Sequence, residues 1–108
     1  MSRYHLGEFE EVVLLTIGVL YGNAYGITIL DEIEERLNRK VSIGSLQTVL
    51  RRLEKKGYLT SEMGESTPER GGKRKRYYTV TKFGQKVLAE TRDQRQSLWN
   101  DVKGFAFE

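Results

Sequence analysis

SIGSLQTVLRRLEKKG, residues 42–57, has the grammar of one capped amphipathic helix. Ser42 suits the N-cap, because its hydroxyl can accept from an orphan backbone N–H. Gly57 suits the terminus, because glycine adopts the left-handed conformation without steric cost. A helix over 43–56 puts Ile43, Leu46, Leu50 and Leu53, spaced three, four and three, on one face turned to a core. The opposite face carries Gly44, Thr48, Arg51 and Lys55, flanked by Gln47 and Arg52. Small and hydrogen-bonding groups come first along it, and bases follow.

Upstream, residues 27–39 form a second amphipathic helix, with Gly26, Leu30, Ile33 and Leu37 on one face and Asp31, Glu32, Glu34 and Glu35 on the other. The turn formers Gly22-Asn23-Ala24-Tyr25-Gly26 separate it from a helix over 6–21. There Phe9, Val13, Ile17 and Leu20, widened by Val12, Leu15 and Val19, predict burial on most sides. Glu8, Glu10 and Glu11 stand in its first turns, where the helix dipole favours them. Downstream, Leu59–Met63 reads as a strand and Gly64–Gly72 as a polar loop. A return strand starts at Lys73-Arg74-Lys75-Arg76 and continues through Val80. Thr81 caps a last helix expected to reach about Phe105. The fold class is therefore mainly α with a small β-hairpin: a winged helix-turn-helix over 1–80 and a C-terminal dimerisation helix over 81–108, as one structural unit.

The chain of 108 residues suffices for one core. It has no Cys, which excludes disulfides and thiolate zinc sites and is compatible with a reducing cytosol. No secretory signal is visible, and the longest apolar stretch, Val12–Leu20, is too short to span a membrane. Charge is uneven. Residues 1–35 hold one base and seven acids (−6), residues 36–76 twelve bases and four acids (+8), and residues 77–108 five bases and four acids (+1). One strongly basic third is the footprint of a face that meets a polyanion; a solubilising surface is the plain alternative.

In a helix-turn-helix pair the second helix enters the major groove with its N-terminal residues toward the bases. That puts Ser45, Gln47 and Thr48 near base edges, and Arg51, Arg52 and Lys55 near phosphates. An ordinary surface helix with bases in its last turns fits the same residues. Four consecutive bases, Lys73, Arg74, Lys75 and Arg76, repel one another unless a polyanion neutralises them, and strand alternation presents them on both sides of the hairpin. Edge protection is the rival explanation. Tyr78 and Val80 share a face toward the core, which leaves Tyr77 outward with its hydroxyl available to a phosphate, although packing is the commoner fate of a tyrosine.

The terminal helix carries a heptad-like stripe, Gly84, Leu88, Thr91, Arg95, Leu98, Val102 and Phe105. Leu98, Trp99, Val102 and Phe105 lie beyond the reach of a core that ends at Val80, so the cover expected is the same helix of a second chain. Helix 6–21 packs alongside, which brings Leu6 and Phe9 to the seam. Folding back onto its own domain is the alternative. Trp99 in such a seam also suits a flat aromatic ligand held between two chains, though simple packing explains a lone Trp as well. Catalysis finds little support: His5 is the single histidine, and no nucleophile–base pair, phosphate loop or zinc spacing occurs. No cofactor and no metal are expected.

The ordered fragments Leu6-Gly7-Glu8-Phe9-Glu10, Tyr25-Gly26-Ile27-Thr28-Ile29, Ser42-Ile43-Gly44-Ser45-Leu46, Leu50-Arg51-Arg52-Leu53-Glu54-Lys55-Lys56-Gly57-Tyr58-Leu59 and Arg74-Lys75-Arg76-Tyr77-Tyr78-Thr79-Val80-Thr81-Lys82-Phe83-Gly84 resemble the PadR-like transcriptional regulators. The likeness covers about residues 6–100. It implies a bacterial or archaeal DNA-binding regulator, usually a repressor, dimerised through the C-terminal helix and released from DNA by a signal, often a small molecule. Two departures stand out: Gln47-Thr48 where the family usually has Tyr-Pro, and Ile27 where it usually has Tyr. The reading that follows is a non-enzymatic, cytoplasmic, nucleoid-associated homodimer on a near-palindromic double-stranded operator. Two rivals remain: a protein-interaction module whose basic wing docks an acidic partner, and a small-molecule sensor built on the inter-subunit cavity.

Overall fold

The computed structural model, which describes residues 5–65 and 74–106, sets three helices before a two-stranded hairpin and a fourth after it. These are α1 (Glu8–Val19), α2 (Gly26–Leu37), α3 (Ile43–Lys55), β1 (Leu59–Met63), β2 (Arg76–Val80) and α4 (Lys82–Asp101). The strands are antiparallel, running in register from Leu59 opposite Val80 to Met63 opposite Arg76. Lys73 and most of the Gly64–Gly72 loop lie outside the described residues.

Local chemistry explains the boundaries. Ser42 caps α3 by accepting from the Ser45 N–H at 3.1 Å, and Thr81 caps α4 by accepting from the Gly84 N–H at 3.0 Å. Gly57, at φ 84°, lets the chain leave α3 in the left-handed conformation, and Asn38 at φ 50° does the same after α2. At α1 the Gly7 N–H donates to the Glu10 carboxylate at 2.8 Å. Glu10 also accepts from Lys56 Nζ at 2.9 Å, which ties the first turn of α1 to the end of α3.

The core is built by Leu14 and Ile17 of α1, Ile29 and Ile33 of α2, Leu46, Leu50 and Leu53 of α3, and Val87 of α4. α4 enters it where Gly84 presses on the chain turning out of α3: a Cβ there would stand 2.3 Å from the Tyr58 carbonyl oxygen. Beyond Thr91 the surface of α4 is exposed, with Arg95 reaching back to Glu11 of α1, and the molecule's longest dimension is 58 Å.

Several expectations are corrected. α1 is not buried on most sides, because Leu15 and Val19 face outward. Leu37, the last residue of α2, is exposed, and Ile29, which the spacing had not placed on the core face, is buried beside Ile33. Ile43 is 46% exposed although it shares the core spacing of Leu46, because its position opens the helix above the level of the core. α4 stops at Asp101, so Phe105 is not helical; it turns back to meet Trp99 edge-on, with ring centroids 6.3 Å apart. β2 begins at Arg76 rather than Lys73, so Arg74 and Lys75 do not alternate as strand residues.

Candidate nucleic-acid interface

The exposed face of α3 carries every residue the sequence placed there: Ser45, Gln47, Thr48, Arg51, Arg52 and Lys55 are all exposed. Helical spacing sets the first three on the N-terminal half and the bases on the C-terminal half. Two of the polar side chains are engaged within the helix. Ser45 Oγ lies 2.9 Å from Ser42 Oγ, and the Thr48 hydroxyl donates to the Gly44 carbonyl at 3.0 Å. Thr48 is left with its methyl group and a lone pair for any outside partner, whereas the Gln47 amide bonds to none of the described residues.

The hairpin stands beside this helix, joined to it by a polar chain. Arg76 Nη1 donates to Ser61 Oγ at 3.0 Å, and Ser61 Oγ donates to the Glu54 carboxylate of α3 at 2.9 Å. Sequence reasoning missed Glu54 and Ser61, because their partnership is made by tertiary packing. Arg74 folds back on the hairpin, donating through Nε to the Gly64 carbonyl at 2.7 Å and through Nη2 to that of Met63 at 3.3 Å. Lys75 turns the other way, its Nζ 4.2 Å from the centroid of the Tyr25 ring. Each described base of the run therefore has its own anchor, and an anchored cation costs less order to present to a phosphate.

Tyr77 is half-buried rather than outward. Its ring meets Tyr25 edge-on at 5.5 Å and covers Gly64, where a Cβ would come within 2.5 Å of it. Tyr78 is also half-buried, with its N–H donating to the Ala24 carbonyl at 2.8 Å. Burial pushes the Tyr78 hydroxyl above its ordinary range against the pull of Arg76, so it stays protonated as a donor. Tyr25 escaped the sequence reading; its place in a turn rich in glycine, just before a helix, was the one available signal.

The residues predicted for a seam between chains divide. Leu6 is 6% exposed and belongs to the chain's own core, which removes it from an outward face. Phe9 is half-buried beneath the Arg39 guanidinium, 4.9 Å from its centroid. Leu88 and Thr91 are half-buried, and Arg95 pairs with Glu11 of α1 at 2.8 Å. Leu98 (72% exposed), Trp99, Val102 and Phe105 stand open on the projecting end. Between α1 and α4 runs a cleft of about 530 Å³, lined by Leu15, Leu88, Arg92, Arg95 and Trp99 among others. Among the described residues no group of His, Cys, Asp and Glu could hold a metal ion, and no helix is long and apolar enough to cross a membrane.

The sequence model of the Transcriptional regulator PadR-like family matches residues 14–90. Among solved structures, the chain is similar to a PadR-like transcription factor from Bacteroides fragilis, at 28% identity and a TM-score of 0.72, over 85% of this chain and 84% of that one. It is similar to a PadR family transcriptional regulator from Eggerthella lenta, at 28% identity and a TM-score of 0.67, over 86% and 80% of the two chains. The fold is shared with Bacillus subtilis PadR, solved in complex with operator DNA, at 17% identity and a TM-score of 0.62, over 93% of this chain and 51% of that one. No curated protein sequence matches the chain.

Proposed function

The chain belongs to the PadR-like family of transcriptional regulators, and we propose that it works as a homodimeric repressor on near-palindromic double-stranded DNA, in the cytoplasm at the nucleoid. One observation carries the reading. The basic half of α3 and the bases of the hairpin stand side by side, held together through Glu54, Ser61 and Arg76, and the uncharged start of α3 continues the same exposed face. A neutral, hydrogen-bonding helix tip, followed along the helix by bases and an anchored cationic hairpin, suits base edges at one end and phosphates at the other. The fold it shares with Bacillus subtilis PadR, a protein solved on its operator, supports the same use. Ser45, Gln47 and Thr48 face bases, Arg51, Arg52 and Lys55 face phosphates, and Lys73, Arg74, Lys75 and Arg76 meet the flanking backbone. Tyr77 serves as a support beneath the hairpin.

A two-fold pair of such helices would reach successive major grooves, about 34–36 Å apart. The pairing surface is the exposed end of α4 and the segment after it, Leu98, Trp99, Val102 and Phe105, with Leu88, Thr91 and Phe9 behind it. The cleft beside Trp99 favours one further element of the reading, a small-molecule effector with a flat aromatic part. Fluorescence anisotropy on random and genomic duplexes across a salt series, with light scattering in parallel, tests the whole. About four phosphate contacts per chain give a slope of log K against log salt of roughly −7. A slope near zero, or no binding at low salt, overturns the DNA reading in favour of an acidic protein partner for the wing.

A further inference from the structure

Ile43 departs from the burial that its spacing predicts. Its spacing puts it in line with Leu46, Leu50 and Leu53, which are 0%, 2% and 0% exposed, yet it is 46% exposed. It is the first residue of α3, at the end that a recognition helix points toward the bases. Its Cδ1 rests over Gly26, at 3.3 Å from where a Cβ would be, so α2 supports the tip of the side chain while the rest faces outward. A β-branched side chain in a helix has one strongly preferred χ1. Ile43 is thus a fixed apolar surface that loses little freedom on contact.

Its surroundings match. Gly44 beside it has nothing within 4 Å of the position a Cβ would take, so a flat partner can approach the backbone there. Gln47, one turn on, shares its side of the helix. The Thr48 hydroxyl donates to the Gly44 carbonyl, which leaves a methyl group and a lone pair for a partner. The start of the helix therefore offers aliphatic surface beside the Gln47 amide and the Ser45 hydroxyl, with no charge. In the major groove the apolar feature is the C5-methyl of thymine.

Resting on the DNA-binding reading above, we propose that Ile43 is a specificity-determining residue that packs on the 5-methyl group of one thymine in each half-site. The test starts by enriching duplexes from a random library with the wild-type protein. Each thymine of the best-bound duplex is then replaced singly, in both half-sites, by deoxyuridine, which deletes only the methyl. At one symmetric position the wild type loses about fourfold in affinity per half-site, the worth of one buried methyl. The Ile43→Ser variant, altered at an exposed position, binds the thymine and uracil forms of that duplex equally. Wild-type indifference to every replacement overturns the proposal without any variant, and so does an equal uracil penalty in Ile43→Ser. Failure to enrich any duplex would instead bring down the DNA-binding reading, and this inference with it.

Discussion

The Lys75 ammonium sits 4.2 Å from the centroid of the Tyr25 ring, and through that contact the chain entering β2 is fastened to the start of α2. The same ring meets Tyr77 edge-on, so one aromatic side chain supports both the charge and the strand that follows it. Tyr25→Leu should weaken binding to all duplex sequences alike, by about two- to fivefold, as a cation–π contact at an exposed site is worth roughly 0.5–1 kcal/mol. Tyr25→Phe should bind like wild type. Anisotropy on random duplex separates the two; equal losses would assign the role to the hydroxyl.

Charge in the wing and chemistry on the helix should separate in the same assay. Replacing Lys73, Arg74, Lys75 and Arg76 together by Ala should flatten the salt slope and weaken every sequence. Gln47→Ala should alter sequence preference, by about 1–3 kcal/mol at the base pair it contacts. A uniform loss for Gln47→Ala would remove its base-reading role.

Glu10 makes stability depend on pH. Burial pushes its carboxyl upward, but the Gly7 N–H and the Lys56 ammonium outweigh that, and the group titrates below its ordinary value of 4.5. A depressed folded value means the contribution is present above the unfolded carboxyl's pKa and is lost as pH falls through the folded one. Lys56 is 37% exposed, so solvent screens the pair. Glu10→Gln should cost about 1–2 kcal/mol in urea unfolding at neutral pH, and progressively less as pH falls through the lowered carboxyl value. A difference that did not shrink with pH would rule out the charge as its source.

Two glycines should respond in opposite senses to alanine. Gly84→Ala drives a methyl into the Tyr58 carbonyl and Val80, at 2.3 and 2.9 Å, and should destabilise by about 1–3 kcal/mol. Gly44→Ala meets nothing within 4 Å and should raise thermal stability by up to about 1 kcal/mol. It should nonetheless lower DNA affinity, because the added methyl holds the groove away from the helix. An affinity unchanged in Gly44→Ala would place α3 farther from the bases.

The projecting end of α4 should govern assembly. Leu98→Glu, at a side chain 72% exposed in the single chain, should leave folding intact and yield a monomer by light scattering. A dimer that persists would place the interface elsewhere. Titrating flat aromatic compounds while following Trp99 fluorescence tests the effector cleft, and silence across a broad panel would end that idea.

What could be read from the chain alone was local. Ser42 and Thr81 cap their helices and Gly57 ends one, because a cap or a left-handed turn depends on a few neighbouring residues. The order of helices and hairpin followed from periodicity, and the basic third from counting. The exposed face of α3 was legible too, since helical spacing sets it.

Burial and partnership were decided by tertiary structure. Ile43 and Leu46 share one spacing, yet one is exposed and the other sealed, because burial depends on which element lies opposite, and the core does not extend to the first turn of α3. Glu10 looked like a helix-start charge; its second partner, Lys56, is 46 residues away and reaches it only when α1 crosses the end of α3. Lys75 was one of four equivalent bases until the fold gave it the ring of Tyr25, and Arg74 the carbonyl of Gly64. Periodicity states which residues share a face, and the packing of one face on another determines what that face meets.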